Sequence, residues 1–135
     1  MTLVAPLPPA HEPIRRVLAS FPGVRLALLF GSYARGVATS ESDVDVAVLA
    51  RDVDLLSLGA ALSLAVDREV DVIDLDEATI PMLEELIRDP VVVHEGAAAA
   101  FALWRSRVLA QLEIDGPWYA RMRDAWLARV AAKGL

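Results

Sequence analysis

The residue types best suited to chemistry are two aspartates one residue apart, Asp43 and Asp45. They lie in the segment Ser42–Leu49, whose strict alternation predicts a β-strand with both carboxylates on one face, Cα atoms roughly 6 to 7 Å apart. Oxygens at this spacing can converge on shared cations, and oxygen ligands are what Mg²⁺ prefers. An isolated Asp-x-Asp is more typical of a solvated strand face. The other strands of this chain, however, are strongly apolar, so two acids in one strand are unusual here. Two adjacent anions also repel each other unless a cation joins them.

A third carboxylate, Asp71, belongs to the next predicted strand, Glu69–Leu75. If the two strands are neighbours, Asp71 faces Asp43 and Asp45 and completes a cluster of three. Asp74 and Asp76 compete for this role. Asp74 follows Asp71 by three residues and so points to the opposite face of a regular strand, and Asp76 lies at the strand's end. We therefore predict that Asp71 is the third acid.

A phosphate-binding turn is predicted where Gly31 and Ser32 follow the apolar run Val24–Phe30. Glycine lets a ligand approach the backbone closely, free N–H groups at such a turn can bind phosphate oxygens, and the serine hydroxyl adds a donor. Gly-Ser after a strand is usually only a turn. Beside three carboxylates it suits two-metal phosphoryl transfer, in which two cations hold the attacking and leaving oxygens and Asp71 can accept the acceptor's proton.

Composition indicates one folded domain, residues 1–135, rather than a disordered chain. Of its 135 residues, 56% are hydrophobic and 24% charged, and cysteine is absent. The lack of cysteine excludes disulfides and thiolate sites and fits a reducing compartment, so we expect a cytoplasmic protein. No apolar run is long enough for a membrane span. The net charge of −6 argues against direct binding to a nucleic-acid backbone.

The elements that must position these residues alternate between helix and strand. The pattern predicts an α+β (mixed α/β) fold, a small mixed sheet of about four strands with helices packed against it. The predicted strands are Val24–Phe30, Ser42–Leu49, Glu69–Leu75 and Val91–His94, with helices over His11–Ser20, from Leu55 to Val66, and from Pro81 to Ile87. Asp52 or Asp54 can cap the second helix and Thr79 the third.

Two further helices are predicted at the C-terminus, Ala97–Leu112 and Pro117–Ala132, divided at Asp115-Gly116-Pro117. Each carries an apolar stripe at helical spacing, which is more often core than interface. The stripes are Phe101, Trp104, Val108 and Leu112 in the first helix, and Trp118, Met122, Trp126 and Val130 in the second. We expect both to face the core, with a partner interface as the alternative.

The order and spacing of the site residues resemble a known signature. Gly31-Ser32, ten residues, and then Asp43-x-Asp45 are similar to the GSx10DxD motif of the DNA polymerase β nucleotidyltransferase superfamily. The local sequences FGSYARG and SDVDVAV, with the third acid in EVDVIDL, resemble its minimal branch, the MNT-type antitoxins encoded beside HEPN-domain toxins. The resemblance covers about residues 12–95, with the C-terminal helices (about 97–132) as an extension.

The resemblance implies the nucleotidyltransferase fold, ATP as substrate, two Mg²⁺ ions, and transfer of AMP to a tyrosine of a partner HEPN toxin in a hetero-oligomer. It implies that Asp43, Asp45 and Asp71 bind metal and are catalytic, and that Gly31, Ser32 and Arg35 hold phosphates. Tyr33 stands where the branch often has a basic residue, which leaves its role open. Two alternatives stay open: a module that neutralises its partner by contact alone, and a stand-alone transferase acting on a small hydroxyl compound.

Overall fold

The computed structural model describes residues 11–31 and 43–133. In this part of the chain, four helices and four strands alternate: α1 (Glu12–Ala19), β1 (Val24–Phe30), β2 (Val44–Ala50), α2 (Leu55–Val66), β3 (Val70–Asp74), α3 (Ile80–Arg88), β4 (Val91–Glu95) and α4 (Ala100–Ala132). A 3₁₀ turn, Leu75–Glu77, follows β3. None of the described helices has the length and apolarity needed to cross a membrane.

The four strands form one mixed sheet in the order β3-β2-β1-β4. β1 pairs antiparallel with β2 and with β4, whereas β2 and β3 are parallel. β1 is therefore central, which explains its nearly continuous apolar sequence, since both of its faces are buried. The parallel pair needs a crossover connection, and α2 supplies it. The predicted mixed sheet of four strands is confirmed.

Helices cover both faces of the sheet, and each face has its own hydrophobic cluster. α1 and α2 bury Ile14, Leu18, Leu58 and Leu62 against Val44, Val46 and Val48 of β2. α3 and α4 bury Leu83, Leu86, Trp104 and Val108 against Leu26, Leu28 and Ala47 on the opposite face. The alternation of β2 thus directs its valines to one layer and Asp45 and Ala47 to the other.

Helix caps fix the entry of two of these helices. The Asp54 carboxylate accepts a hydrogen bond from the Leu56 N–H at 3.1 Å, so of the two predicted caps for α2 it is Asp54 that serves. The Thr79 hydroxyl accepts from the Met82 N–H at 3.4 Å at the start of α3. Side-chain acceptors at these positions satisfy backbone donors that have no partner within the helix.

The predicted division of the C-terminal segment into two helices is wrong. α4 runs without a break through 33 residues, with Pro117 inside it. Proline removes one backbone donor and costs roughly 3 kcal/mol in a helix interior, and the helix continues through it nonetheless.

The prediction that both apolar stripes face the core is only half right. Trp104 and Val108 are buried, whereas Trp118, Met122 and Trp126 are 55%, 52% and 55% exposed. The sheet is shorter than α4, so the second half of the helix has no layer of this chain beneath it in the described residues.

Candidate active site

Asp45 and Asp71 lie side by side on neighbouring strands. In the parallel register of β2 and β3, the Cα partner of Asp45 is Asp71. On the other side of β2, Asp45 is opposite Phe30, the last residue of β1. Side chains at directly opposed positions project from the same face of a sheet, so Asp71 shares the face of Asp45, as the alternation predicts. This face is the one that α3 and α4 cover.

Gly31 completes this corner of the sheet through its backbone. It adopts a φ of +75°, a left-handed conformation that glycine tolerates and other residues rarely adopt. A Cβ at this position would lie 2.7 Å from Oδ2 of Asp45. The sequence analysis predicts that Gly31 lets a phosphate approach the backbone closely. The structure adds a second requirement, because the absence of a side chain lets the Asp45 carboxylate lie against the end of β1.

The surroundings of Asp45 disfavour the charged form of its carboxyl group. Partial burial raises its pKa above the ordinary value, and repulsion from Asp71, Asp43 and Glu85, in that order, raises the pKa further. Three other acids are thus close enough to influence this one carboxylate. A cation bound among them would relieve the repulsion and favour the ionised form of Asp45.

Glu85 is the member of this group that sequence reasoning missed. It lies on α3, half-buried, next to Leu86, which belongs to the core. Its negative charge is one of the causes of the raised pKa of Asp45, which places it near the aspartates. The sequence carries no signal for this position, because an acid at the border of an amphipathic helix is ordinary and α3 reaches the aspartates only through the tertiary fold.

The two competing acids take no part in the site. The carboxylate of Asp74 accepts a hydrogen bond from the Asp76 N–H at 2.9 Å and so caps the 3₁₀ turn after β3. Asp76 lines a groove with Arg25 and Arg51, near the start of β1 and the end of β2, which is the end of the sheet away from Gly31. The preference for Asp71 therefore agrees with the positions of all three acids.

The donor chemistry of the site fits Mg²⁺, although the protein alone does not supply a closed cage. Across residues 11–31 and 43–133, no three His, Cys, Asp or Glu side chains converge closely enough to hold a metal ion. Mg²⁺ is commonly bound through one or two carboxylates, with substrate phosphates and water as the other ligands. An open, acidic end of a sheet beside a glycine is suited to this shared mode of binding. Ser32 and Arg35, the predicted phosphate ligands next to Gly31, lie outside the described residues.

Comparison with known proteins agrees with this arrangement. The sequence model of the family described as polymerase beta nucleotidyltransferase matches residues 12–97. The protein adenylyltransferase MntA of Shewanella oneidensis is 33% identical over 78 residues, a match that covers 55% of this chain and 56% of MntA. The chain thus matches little more than half the length of this curated relative.

Two solved toxin–antitoxin complexes contain chains with a similar fold. One, determined with AMP-PNP, has a chain that superposes with a TM-score of 0.70 at 25% identity, covering 86% of this chain and 98% of that one. The other, a mutant form of the toxin–antitoxin MntA-HpeT, gives a TM-score of 0.65 at 28% identity, covering 84% and 94%. Because the family's sequence model spans well over half of the residues, including Gly31, Asp43, Asp45 and Asp71, the chain belongs to the polymerase β nucleotidyltransferase family.

Proposed function

We propose that the chain is an adenylyltransferase antitoxin, which transfers AMP from ATP to a tyrosine hydroxyl of a partner HEPN toxin in the cytoplasm. The observation that carries this proposal is the register of β2 and β3, which sets Asp71 beside Asp45 at the glycine that ends β1. Support comes from the similarity to MntA, a protein adenylyltransferase, and from the similar chain in a toxin–antitoxin complex with AMP-PNP.

Each site residue has a distinct task in this proposal. Asp43, Asp45 and Asp71 hold two Mg²⁺ ions together with the triphosphate of ATP. Bound Mg²⁺ supplies positive charge that acidifies the acceptor hydroxyl and neutralises the departing pyrophosphate. Gly31 allows the triphosphate to approach the backbone, and Ser32 and Arg35 donate hydrogen bonds to its phosphate oxygens.

The reaction is an in-line displacement at the α-phosphorus of ATP. The acceptor oxygen forms a bond to that phosphorus while the bond to the oxygen bridging the α- and β-phosphorus breaks, and pyrophosphate leaves with that electron pair. Asp71 accepts the proton of the hydroxyl, because it is exposed and lies on β3, an edge strand of the sheet, where an acceptor can reach it from outside. The protein contributes mainly position and charge.

The test is transfer of label from ATP carrying ³²P at the α-phosphate to a HEPN toxin co-expressed with this chain, in the presence of Mg²⁺. We expect Asp45→Asn and Asp71→Asn each to reduce labelling at least about 100-fold, since either change removes a metal ligand. The matched control is Asp74→Asn on the same strand as Asp71, because asparagine retains the capping oxygen and the residue lies outside the site. Labelling that survives Asp45→Asn would refute the proposed site.

Two other outcomes would assign a different function. If an Asp43/Asp45 double variant silences the toxin as well as the unaltered chain does, contact alone accounts for neutralisation. If a small hydroxyl compound is adenylylated at full rate without any protein partner, the chain is a stand-alone transferase.

A further inference from the structure

The second half of α4 exposes three large apolar side chains on one face. Trp118, Met122 and Trp126, which we call the distal stripe, follow each other at intervals of four residues and are each more than half exposed. Residues four apart lie on the same side of a helix. Exposed aromatic residues grouped in this way are typical of interfaces and are rare on surfaces that stay in water.

The distal stripe continues the face that α4 buries in its own domain. Ala100, Trp104 and Val108 are the residues of α4 that the core buries. Each precedes one member of the distal stripe by 18 residues, which is five complete turns of 3.6 residues. The same apolar face therefore runs along both halves of the helix. Its first half packs on the sheet, and its second half is not covered by any of the described residues.

The charges around the distal stripe indicate the kind of surface that covers it. The segment from 117 to 133 carries four basic residues, Arg121, Arg123, Arg129 and Lys133, against the single acid Asp124. Pairing with the same segment of a second copy would bring like charges together, which disfavours a homodimer through this face. An apolar face bordered by arginines is instead complementary to a helix whose own apolar face is bordered by Asp and Glu.

We propose that the distal stripe is the docking surface for an acidic, amphipathic helix of the protein that accepts AMP. This inference rests on the proposed function, since the partner that docks here is the protein that accepts AMP. α4 packs on the same face of the sheet that carries Asp45 and Asp71. A partner bound along the exposed half of α4 would therefore lie on the side of the sheet from which Asp45 and Asp71 project.

The experiment compares two substitutions of the same chemistry on opposite sides of one helix. Met122→Asp places a carboxylate in the distal stripe, whereas Leu127→Asp places one about 140° around the helix axis, at a residue exposed to a similar degree, 49% against 52%. The measurement is the dissociation constant for the same HEPN toxin. We expect Met122→Asp to weaken binding at least about 30-fold, as for a central interface residue, and Leu127→Asp to change it less than about threefold.

Further readouts separate docking from catalysis and from folding. Circular dichroism and Tm should be unchanged by both substitutions, because neither residue is buried. Asp45→Asn should abolish AMP transfer and leave the dissociation constant unchanged, whereas Met122→Asp should raise KM for the HEPN protein and leave kcat near normal. That pattern supports the docking proposal even if the acceptor atom differs from tyrosine.

Two results would overturn the proposal. One is equal affinity of the Met122→Asp and Leu127→Asp variants for the HEPN protein. The other is conversion of a dimer of this chain into monomers by Met122→Asp with no change in that affinity, which would show that a second copy covers the distal stripe. An affinity that falls as salt concentration rises would support the role of the flanking arginines.

Discussion

At the scale of single residues, the chemistry depends on how three other acids are placed around Asp45. Two of them were predicted from the sequence, because a period of two assigns Asp43 to the face of Asp45 and assigns Asp71 to the same face if the next strand is its neighbour. Glu85 was not foreseen, because a helix two elements away approaches the site only through the tertiary fold. The close contact between Gly31 and the Asp45 carboxylate was likewise outside the reach of a sequence pattern.

The raised pKa of Asp45 leads to a prediction about stability. The folded state holds this proton to a higher pH than the unfolded chain does, so stability contributed by this group is lost as pH rises from the ordinary aspartate range through the raised pKa. Without Mg²⁺ at pH 7, Asp45→Asn should therefore raise Tm by a few degrees, and the gain should shrink toward pH 4.

Adding Mg²⁺ together with ATP, whose phosphates complete the ligand set, should make the unaltered chain the more stable of the two proteins. The ion should stabilise the unaltered chain at pH 7 more than at pH 5, where protons compete for the same oxygens, and should leave Asp45→Asn nearly unaffected. Thermal unfolding with EDTA, or with Mg²⁺ and ATP, measures both effects, with Asp74→Asn as the control. A lower Tm for Asp45→Asn in EDTA would contradict this account of the site.

The backbone of Gly31 leads to a second prediction. Gly31→Ala combines a positive φ with a Cβ 2.7 Å from Asp45 Oδ2, so it should lower the free energy of unfolding by about 1 to 3 kcal/mol and reduce AMP transfer at least about tenfold. Gly116→Ala is the matched control. Apart from the neighbouring backbone of α4 itself, no atom of the described residues lies within 4 Å of a Cβ at Gly116, and alanine there should raise stability by up to about 1 kcal/mol. Full activity of Gly31→Ala would argue against the need for close approach at this turn.

At the scale of secondary structure, periodicity predicted the four strands and the first three helices, because each has an apolar pattern matched to its burial. It failed at Asp115-Gly116-Pro117, where local residue preferences favour a turn and the structure has a helix. Gly and Pro raise the cost of a helix without forbidding it. The same local reasoning assigned Trp118, Met122 and Trp126 to the core, since a pattern reports an apolar face and does not report what covers it.

At the scale of the whole molecule, the order of strands and the two helical layers could not be read from the sequence. Strand order depends on which long-range pairs form, and α2 must cross the sheet before β3 can pair with β2. The difference in burial between the two halves of α4 also depends on the whole fold. Trp104 is buried because the sheet lies beneath it, whereas Trp126 lies beyond the sheet and is exposed.

Removal of the exposed half of α4 tests whether this half serves binding and not folding. Because none of the described residues from 113 to 133 is buried, a chain ending at Leu112 should keep its Tm within a few degrees and should still bind ATP with Mg²⁺. The same chain should lose its affinity for the HEPN protein. Differential scanning calorimetry and titration with fluorescent ATP measure the two retained properties, and a loss of cooperative unfolding would show that the second half of α4 belongs to the folded core.

The parallel pairing of β2 with β3 has a consequence for synthesis on the ribosome. Asp71 is made 26 residues after Asp45, and the whole α2 segment that connects the two strands must be synthesised before they can meet. A nascent chain that has exposed only the first two aspartates lacks the third member of the set. The arrangement of strands therefore withholds a complete set of acids from nucleotides until most of the sheet has left the exit tunnel.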